Sequence, residues 1–161
     1  MKLTADVVLQ IAMELERRGR IFYESLAIGC GNGRISALAA ALAKAELDHL
    51  ETFTRMRERL PESMRGPNLT DEELMTAADH VRTKVLPRPS VVSETVIASN
   101  LSKALDMAIV MEADSVAFYA EAAAGFDGID ADVIAAIVAE EREHLVMLQE
   151  VRNLCAAVFP E

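Results

Sequence analysis

The sequence predicts an all-α fold, an antiparallel four-helix bundle, on three observations. Apolar residues recur with the helical period over four long segments. Alanine and leucine dominate the apolar set, while aromatics make up 4% and there are only 7 glycines and 5 prolines. The connections inside each pair of segments are short, so the helices they join must be antiparallel neighbours.

The first helix is placed at about 4–28 and stops at Gly29-Cys30-Gly31-Asn32-Gly33. The second, at about 34–60, stops at Leu60-Pro61. The third, at about 100–124, stops at Gly125. The fourth, at about 130–158, takes Asp130 as its N-cap. Residues 61–99 differ, with Pro61, Gly66, Pro67, Pro87 and Pro89. Within them Thr70-Asp71-Glu72-Glu73 is a capping-box signature for a short helix to about Val85. The rest reads as a crossover, too short and too weakly periodic for a second domain. Four helices with one long crossover between helices two and three make the ferritin-like version of the bundle.

At 161 residues the chain is expected to be one domain, 1–161. It carries 16 basic and 26 acidic residues, a net charge of −10. That sign argues against nucleic acid or anionic lipid as partner. Two cysteines, Cys30 and Cys155, exclude a disulfide scaffold and a four-cysteine metal site. They suit a reducing cytoplasm and are expected to be unreactive. Asp6, Glu14 and Glu16 interrupt the first apolar positions, so no signal peptide is expected. No uncharged apolar stretch is long enough to span a membrane.

The chain repeats itself. LERRGRIFYESLA at 15–27 matches MEADSVAFYAEAA at 111–123, pairing Glu16 with Glu112 and Tyr23 with Tyr119 at an offset of 96. LAKAELDHLETF at 42–53 matches IVAEEREHLVML at 137–148, pairing Glu46 with Glu141 and His49 with His144 at an offset of 95. The two halves are one helical hairpin used twice.

Helical spacing places these polar residues on apolar stripes. Glu16 shares its stripe with Leu9, Ala12 and Tyr23, and Glu46 and His49 share theirs with Leu42 and Phe53. Glu112 lies with Leu105, Ala108 and Tyr119, and Glu141 and His144 with Ile137, Val138 and Leu148. Four buried carboxylates without cations would be prohibitively costly. No lysine lies on these stripes, and Arg20 is the only candidate organic counter-ion. Two metal ions answer the problem. Glu-x-x-His sets an imidazole and a carboxylate one turn apart, so the histidine can bind one ion while the glutamate bridges to the next. Single glutamates from the other two helices close each end. Six protein ligands leave coordination positions open.

One Glu-x-x-His on a helix is common by chance. Two, each preceded by a helix with an inward glutamate at matched offsets, are not. His80 falls outside the motif and is expected to be a surface or packing residue. Glu140 is four residues before His144, but its counterpart in the repeat is Ala45, which argues against a ligand role. Glu14, Asp48, Glu51 and Glu143 are expected in solvent. Tyr23 and Tyr119 are either core aromatics or phenols that hydrogen-bond a ligand carboxylate. Their duplication favours the second and makes them candidate catalytic residues.

With these motifs in hand, the chain resembles the rubrerythrin-like branch of the ferritin-like superfamily over its four helices. The resemblance implies a di-iron centre held by Glu16, Glu46, His49, Glu112, Glu141 and His144, with Glu46 and Glu141 as bridges and the tyrosines beside them. It implies reduction of hydrogen peroxide or oxidation of ferrous iron, and a homodimer. Rubrerythrins proper add a rubredoxin domain with two Cys-x-x-Cys pairs. Here electrons would have to come from a separate donor protein. They also carry a further glutamate three residues after the third-helix ligand, where this chain has Ser115.

The expected function is therefore that of a non-haem di-iron oxidoreductase acting on hydrogen peroxide or dioxygen. The alternatives are an iron-binding or ferroxidase protein, and a redox-silent metal-binding protein. Iron, manganese and zinc all accept this ligand set. The absence of a further helix after Phe159 argues against a ferritin cage. Val7, Val8, Ile11 and Phe22 are read as outer-face residues that favour a dimer.

Overall fold

The computed structural model describes residues 4–80 and 101–158. Helix α1 (Ala5–Gly29) and α2 (Gly33–Arg59) form one antiparallel hairpin. A 3-10 turn (Glu62–Met64) and α3 (Asp71–His80) follow. Helices α4 (Leu101–Ala123) and α5 (Gly128–Val158) form the second hairpin. No strand is present among the described residues. Each long helix lies within two residues of its expected bounds.

Local chemistry sets the ends. Thr4 Oγ1 accepts the Val7 N–H and opens α1. Gly31, at φ 63°, turns the chain where a side chain would be strained, and Asn32 Oδ1 accepts the N–H groups of Arg34 and Ile35 to open α2. The capping box forms as expected: Glu73 N–H donates to Thr70 Oγ1, and Thr70 N–H donates to Glu73 Oε2. Asp130 is not the N-cap of the last helix. Gly128, at φ 59°, begins that helix, and Asp130 sits in its first turn, where it accepts Arg59 Nη2 at 2.7 Å. The crossover expected over 61–99 is described only to residue 80, so the last turn expected to reach Val85 lies outside the described residues. The side chain of His80 lies outside them as well.

Two apolar clusters fill the interior. One gathers Leu9, Ala12, Phe53, Phe118, Tyr119, Ile134, Ile137 and Val138, with Leu74 and Ala77 from α3. The other gathers Phe22, Tyr23, Ala39, Leu42, Ala43, Leu105, Ala108 and Leu148. The repeat offset carries the first set, apart from the α3 residues, onto the second. The two hairpins therefore face each other about a pseudo-twofold axis between the clusters. Ile11 and Phe22, expected on the outer face, are buried in these clusters, and Val7 and Val8 are partly buried against the first. The periodic stripe is wider than a single line of i+3 and i+4 neighbours. Among the described residues no helix is long and apolar enough to cross a membrane.

Candidate metal centre

Each long helix sends one carboxylate into the gap between the clusters. Glu16, Glu46, Glu112 and Glu141 are at most 5% exposed, and His49 and His144 are 4% and 7% exposed. Their donor atoms fall into two groups, each with all members within 4.8 Å of one another. The first is Glu16, Glu46, His49 and Glu141; the second is Glu46, Glu112, Glu141 and His144. Glu46 and Glu141 belong to both. The two imidazole rings lie 6.1 Å apart. Gly19 makes room for one shared carboxylate, since a Cβ there would sit 3.0–3.2 Å from the carboxylate atoms of Glu46. A small cavity lies against the cluster, lined in part by Gly19, Tyr23, Glu46, Glu112 and Ser115.

The tyrosines tie the two halves together crosswise. Tyr23 Oη donates to Glu112, and Tyr119 Oη donates to Glu16. Burial, then the carboxylate of Glu112, pushes the Tyr23 phenol well above its ordinary pKa. Burial, then Glu16, does the same to Tyr119. Both phenols are thus kept protonated as donors.

Without metal, protons offset the charge. Burial and then the neighbouring Glu16 push Glu46 well above the carboxylate range. Burial and then Glu141 push Glu112 up, against the Tyr23 hydrogen bond. Burial favours a neutral His49, but the carboxylates of Glu141 and Glu16 outweigh it and raise the ring to about 11. Burial also opposes the charge on Glu141, yet the His144 and His49 rings outweigh it and hold that carboxyl low. Arg20 takes no part. It turns outward to Glu24, with Nε 2.7 Å from Oε1.

Proton compensation is incomplete. Glu16 Oε2, His49 Nδ1 and Glu141 Oε1 are buried without a hydrogen-bond partner. Nδ1 lies 2.9 Å from Glu141 Oε1 and 3.6 Å from Glu16 Oε2, without hydrogen-bond alignment. An orphaned buried polar atom costs about 1–3 kcal/mol. Three such atoms facing one another, all in the first donor group, fit a cation between them. The carboxylate and imidazole donors suit a divalent first-row metal.

Residues outside the cluster divide. Asp48, Glu51 and Glu143 are exposed, as expected. Glu14 is not: it is buried and pairs with Arg17 and Arg18, the latter at 2.7 Å. Two arginines within one helical turn were the signal for that. Cys30 and Cys155 are free and half-buried. Glu140 belongs to neither donor group, yet its Oε2 lies 3.2 Å from His49 Nε2. The internal repeat hid this partner, because it tests only what both halves share.

The family model described as Rubrerythrin matches residues 7–152. A solved structure is also similar, that of a Thermotoga maritima protein assigned as ferritin-like and diiron-carboxylate. It is 27% identical, with a TM-score of 0.67 over 94% of this chain and 95% of that chain. No curated protein matches.

Proposed function

The chain belongs to the rubrerythrin family, and on that premise we propose that it is a non-haem di-iron oxidoreductase that reacts with hydrogen peroxide or dioxygen. The observation that carries this is the pair of buried donor groups sharing Glu46 and Glu141. Glu16 and His49 would complete one iron position, and Glu112 and His144 the other. When bound, two ferrous ions supply the two electrons that, with two protons, convert hydrogen peroxide to two waters.

The chain's own residues supply the surroundings. Glu46 and Glu141, common to both donor groups, would hold both ions. Tyr23 and Tyr119 orient Glu112 and Glu16 by hydrogen bonds, and each keeps a proton beside the cluster. The apolar clusters on either side exclude bulk water. The cavity at Gly19 and Ser115 offers a small reactant a place next to Glu46 and Glu112. A separate electron-donor protein would return the irons to the ferrous state. A homodimer in the cytoplasm completes the proposal. The free cysteines support the compartment, and the exposed Val110, Val146 and Leu154 support self-association.

Anaerobic loading with two Fe(II) per chain, then mixing with peroxide, should give rapid optical oxidation. Iron that binds but stays ferrous with both peroxide and dioxygen would overturn the proposal. Ser115 favours a second reading, oxidation of ferrous iron without peroxidase turnover. It lines the cavity, at the sequence position where the resemblance to rubrerythrins proper implies a further glutamate. Repeated peroxide consumption with an added reductant separates the two.

A further inference from the structure

The two donor groups are related by the internal repeat, but their histidines are not held alike. His49 Nδ1 points into the cluster, and its Nε2 points outward to Glu140 Oε2 at 3.2 Å. Glu140 lies on α5 and is 59% exposed at its side chain. The His144 Nδ1 faces Glu141 of its own helix, at 3.2 Å. The repeat would match the Glu140 contact with one from His144 to residue 45, which is Ala45. A methyl group accepts no hydrogen bond.

We propose that Glu140 is a positioning residue that makes the His49 side the tighter of the two metal positions, so that the first ion binds there. This rests on the reading that the cluster holds two ions. Once Nδ1 is given to a metal, the ring proton must sit on Nε2. A carboxylate that accepts this proton fixes the tautomer and ring angle and makes Nδ1 a stronger donor. Partners of this kind change metal affinity by roughly 10–100-fold. Glu46 and Glu141 belong to both donor groups, whereas Glu140 reaches His49 alone. A first ion at the His49 side also joins the three orphaned atoms, Glu16 Oε2, His49 Nδ1 and Glu141 Oε1.

The test is a titration with Zn(II), a diamagnetic probe, followed by the histidine ring nitrogen resonances. The chain has three histidines, so the spectrum is easily assigned. At one equivalent per chain, the His49 resonances should shift while those of His144 largely do not, a preference of about tenfold or more. In Glu140→Ala the two rings should respond together. In Glu140→Gln, whose amide oxygen still accepts the hydrogen bond, part of the preference should return. Glu140 is exposed, so these variants leave the core untouched. If both rings shift together in the unaltered protein, if His144 leads, or if Glu140→Ala keeps the full preference, the inference is wrong while two-ion binding stands. If neither ring shifts at two equivalents, the metal centre itself is wrong and the inference falls with it.

Discussion

At one end of the bundle Arg57 Nε meets Asp6 Oδ1 at 2.7 Å; at the other, Arg152, its counterpart in the repeat, meets Asp106 Oδ1 at the same distance. The first pair is enclosed. The Asp6 side chain is 4% exposed, and it also accepts Gln10 Nε2 and the Gly66 N–H. Gln10 Oε1 in turn accepts the Leu69 N–H, and Arg57 Nη2 donates to the Gly66 carbonyl. The second pair is open, with the Asp106 side chain 54% exposed. The contrast shows what breaks the symmetry. Among the described residues, the first end is where the chain leaves α2, and its ion pair has gained backbone partners from residues 66–69. The centre keeps its symmetry in the crosswise hydrogen bonds, Tyr23 to Glu112 and Tyr119 to Glu16, and in the two donor groups that share Glu46 and Glu141.

The largest expected effect is therefore at the centre, where one substitution touches both halves. Glu46 is shared by the two donor groups. Burial and Glu16 favour its protonated form when metal is absent, and Gln mimics that form. Glu46→Gln should leave the melting of the metal-free protein nearly unchanged. Saturating Co(II) should raise the stability of the unaltered protein by about 4 kcal/mol when free metal is about a thousand times Kd. The variant should lose most of that gain, which paired melting curves would show. A retained gain would mean that Glu46 is not shared.

Next in size is the enclosed ion pair. Asp6→Ala should cost about 3 kcal/mol at neutral pH, since it leaves Arg57, Gln10 and the Gly66 N–H without their acceptor. Its pH dependence has a definite sign. Burial opposes the Asp6 charge, but Arg57, Gln10 and Gly66 outweigh it and hold the carboxyl below the usual aspartate value. A group depressed on folding stabilises fully above its unfolded pKa and ceases to do so as pH falls through the folded one. The deficit of Asp6→Ala against the unaltered protein should be full at pH 7 and shrink below about pH 4. Urea unfolding at both pH values would measure it. An undiminished deficit in acid would assign the loss to packing.

The tyrosines sharpen the symmetric side of the comparison. Tyr23→Phe and Tyr119→Phe each remove a buried donor to a carboxylate, worth about 1.5–3 kcal/mol. The two losses should agree within about 0.5 kcal/mol in the metal-free protein. A clear inequality in thermal melts would show that the halves differ at the centre as well. The Phe53 ring beside Tyr119, with centroids 5.1 Å apart, would be the first place to look.

The same contrast explains what could be read from the sequence. The repeat carries its information twice, so the symmetric parts stood out: four helices, the Glu and Glu-x-x-His pairs, and the tyrosines. What occurs once was hidden. Asp6 and Gln10 are spaced i,i+4 in the first turns of α1, which looks like a solvated helix start. Their partners at 66–69 are fifty to sixty residues away and carry no period. Glu140 has Ala45 as its counterpart, so the repeat carries no sign of its contact with His49. Glu14 lies off the core stripe, where helical angle alone points to solvent, and it is buried because Arg17 and Arg18 cover it.

The smallest effect belongs to the open pair, and it tests the comparison most directly. Asp106→Ala removes a carboxylate that Arg152 holds at 2.7 Å through Nε and 3.4 Å through Nη2. The geometry is as good as that of Arg57 with Asp6, so a purely geometric account predicts similar losses. Solvent decides otherwise. Water reaches the Asp106 carboxylate, 54% exposed, and part of the Arg152 side chain, 26% exposed, and exposed pairs contribute only about 0–1 kcal/mol. Asp106→Ala should therefore cost less than about 1 kcal/mol, with a loss that falls further in molar salt. Urea unfolding of Asp6→Ala and Asp106→Ala side by side would check this. Equal losses would mean that enclosure by the crossover adds nothing, and that the matched arginines, not the residues around them, set the stability of each end.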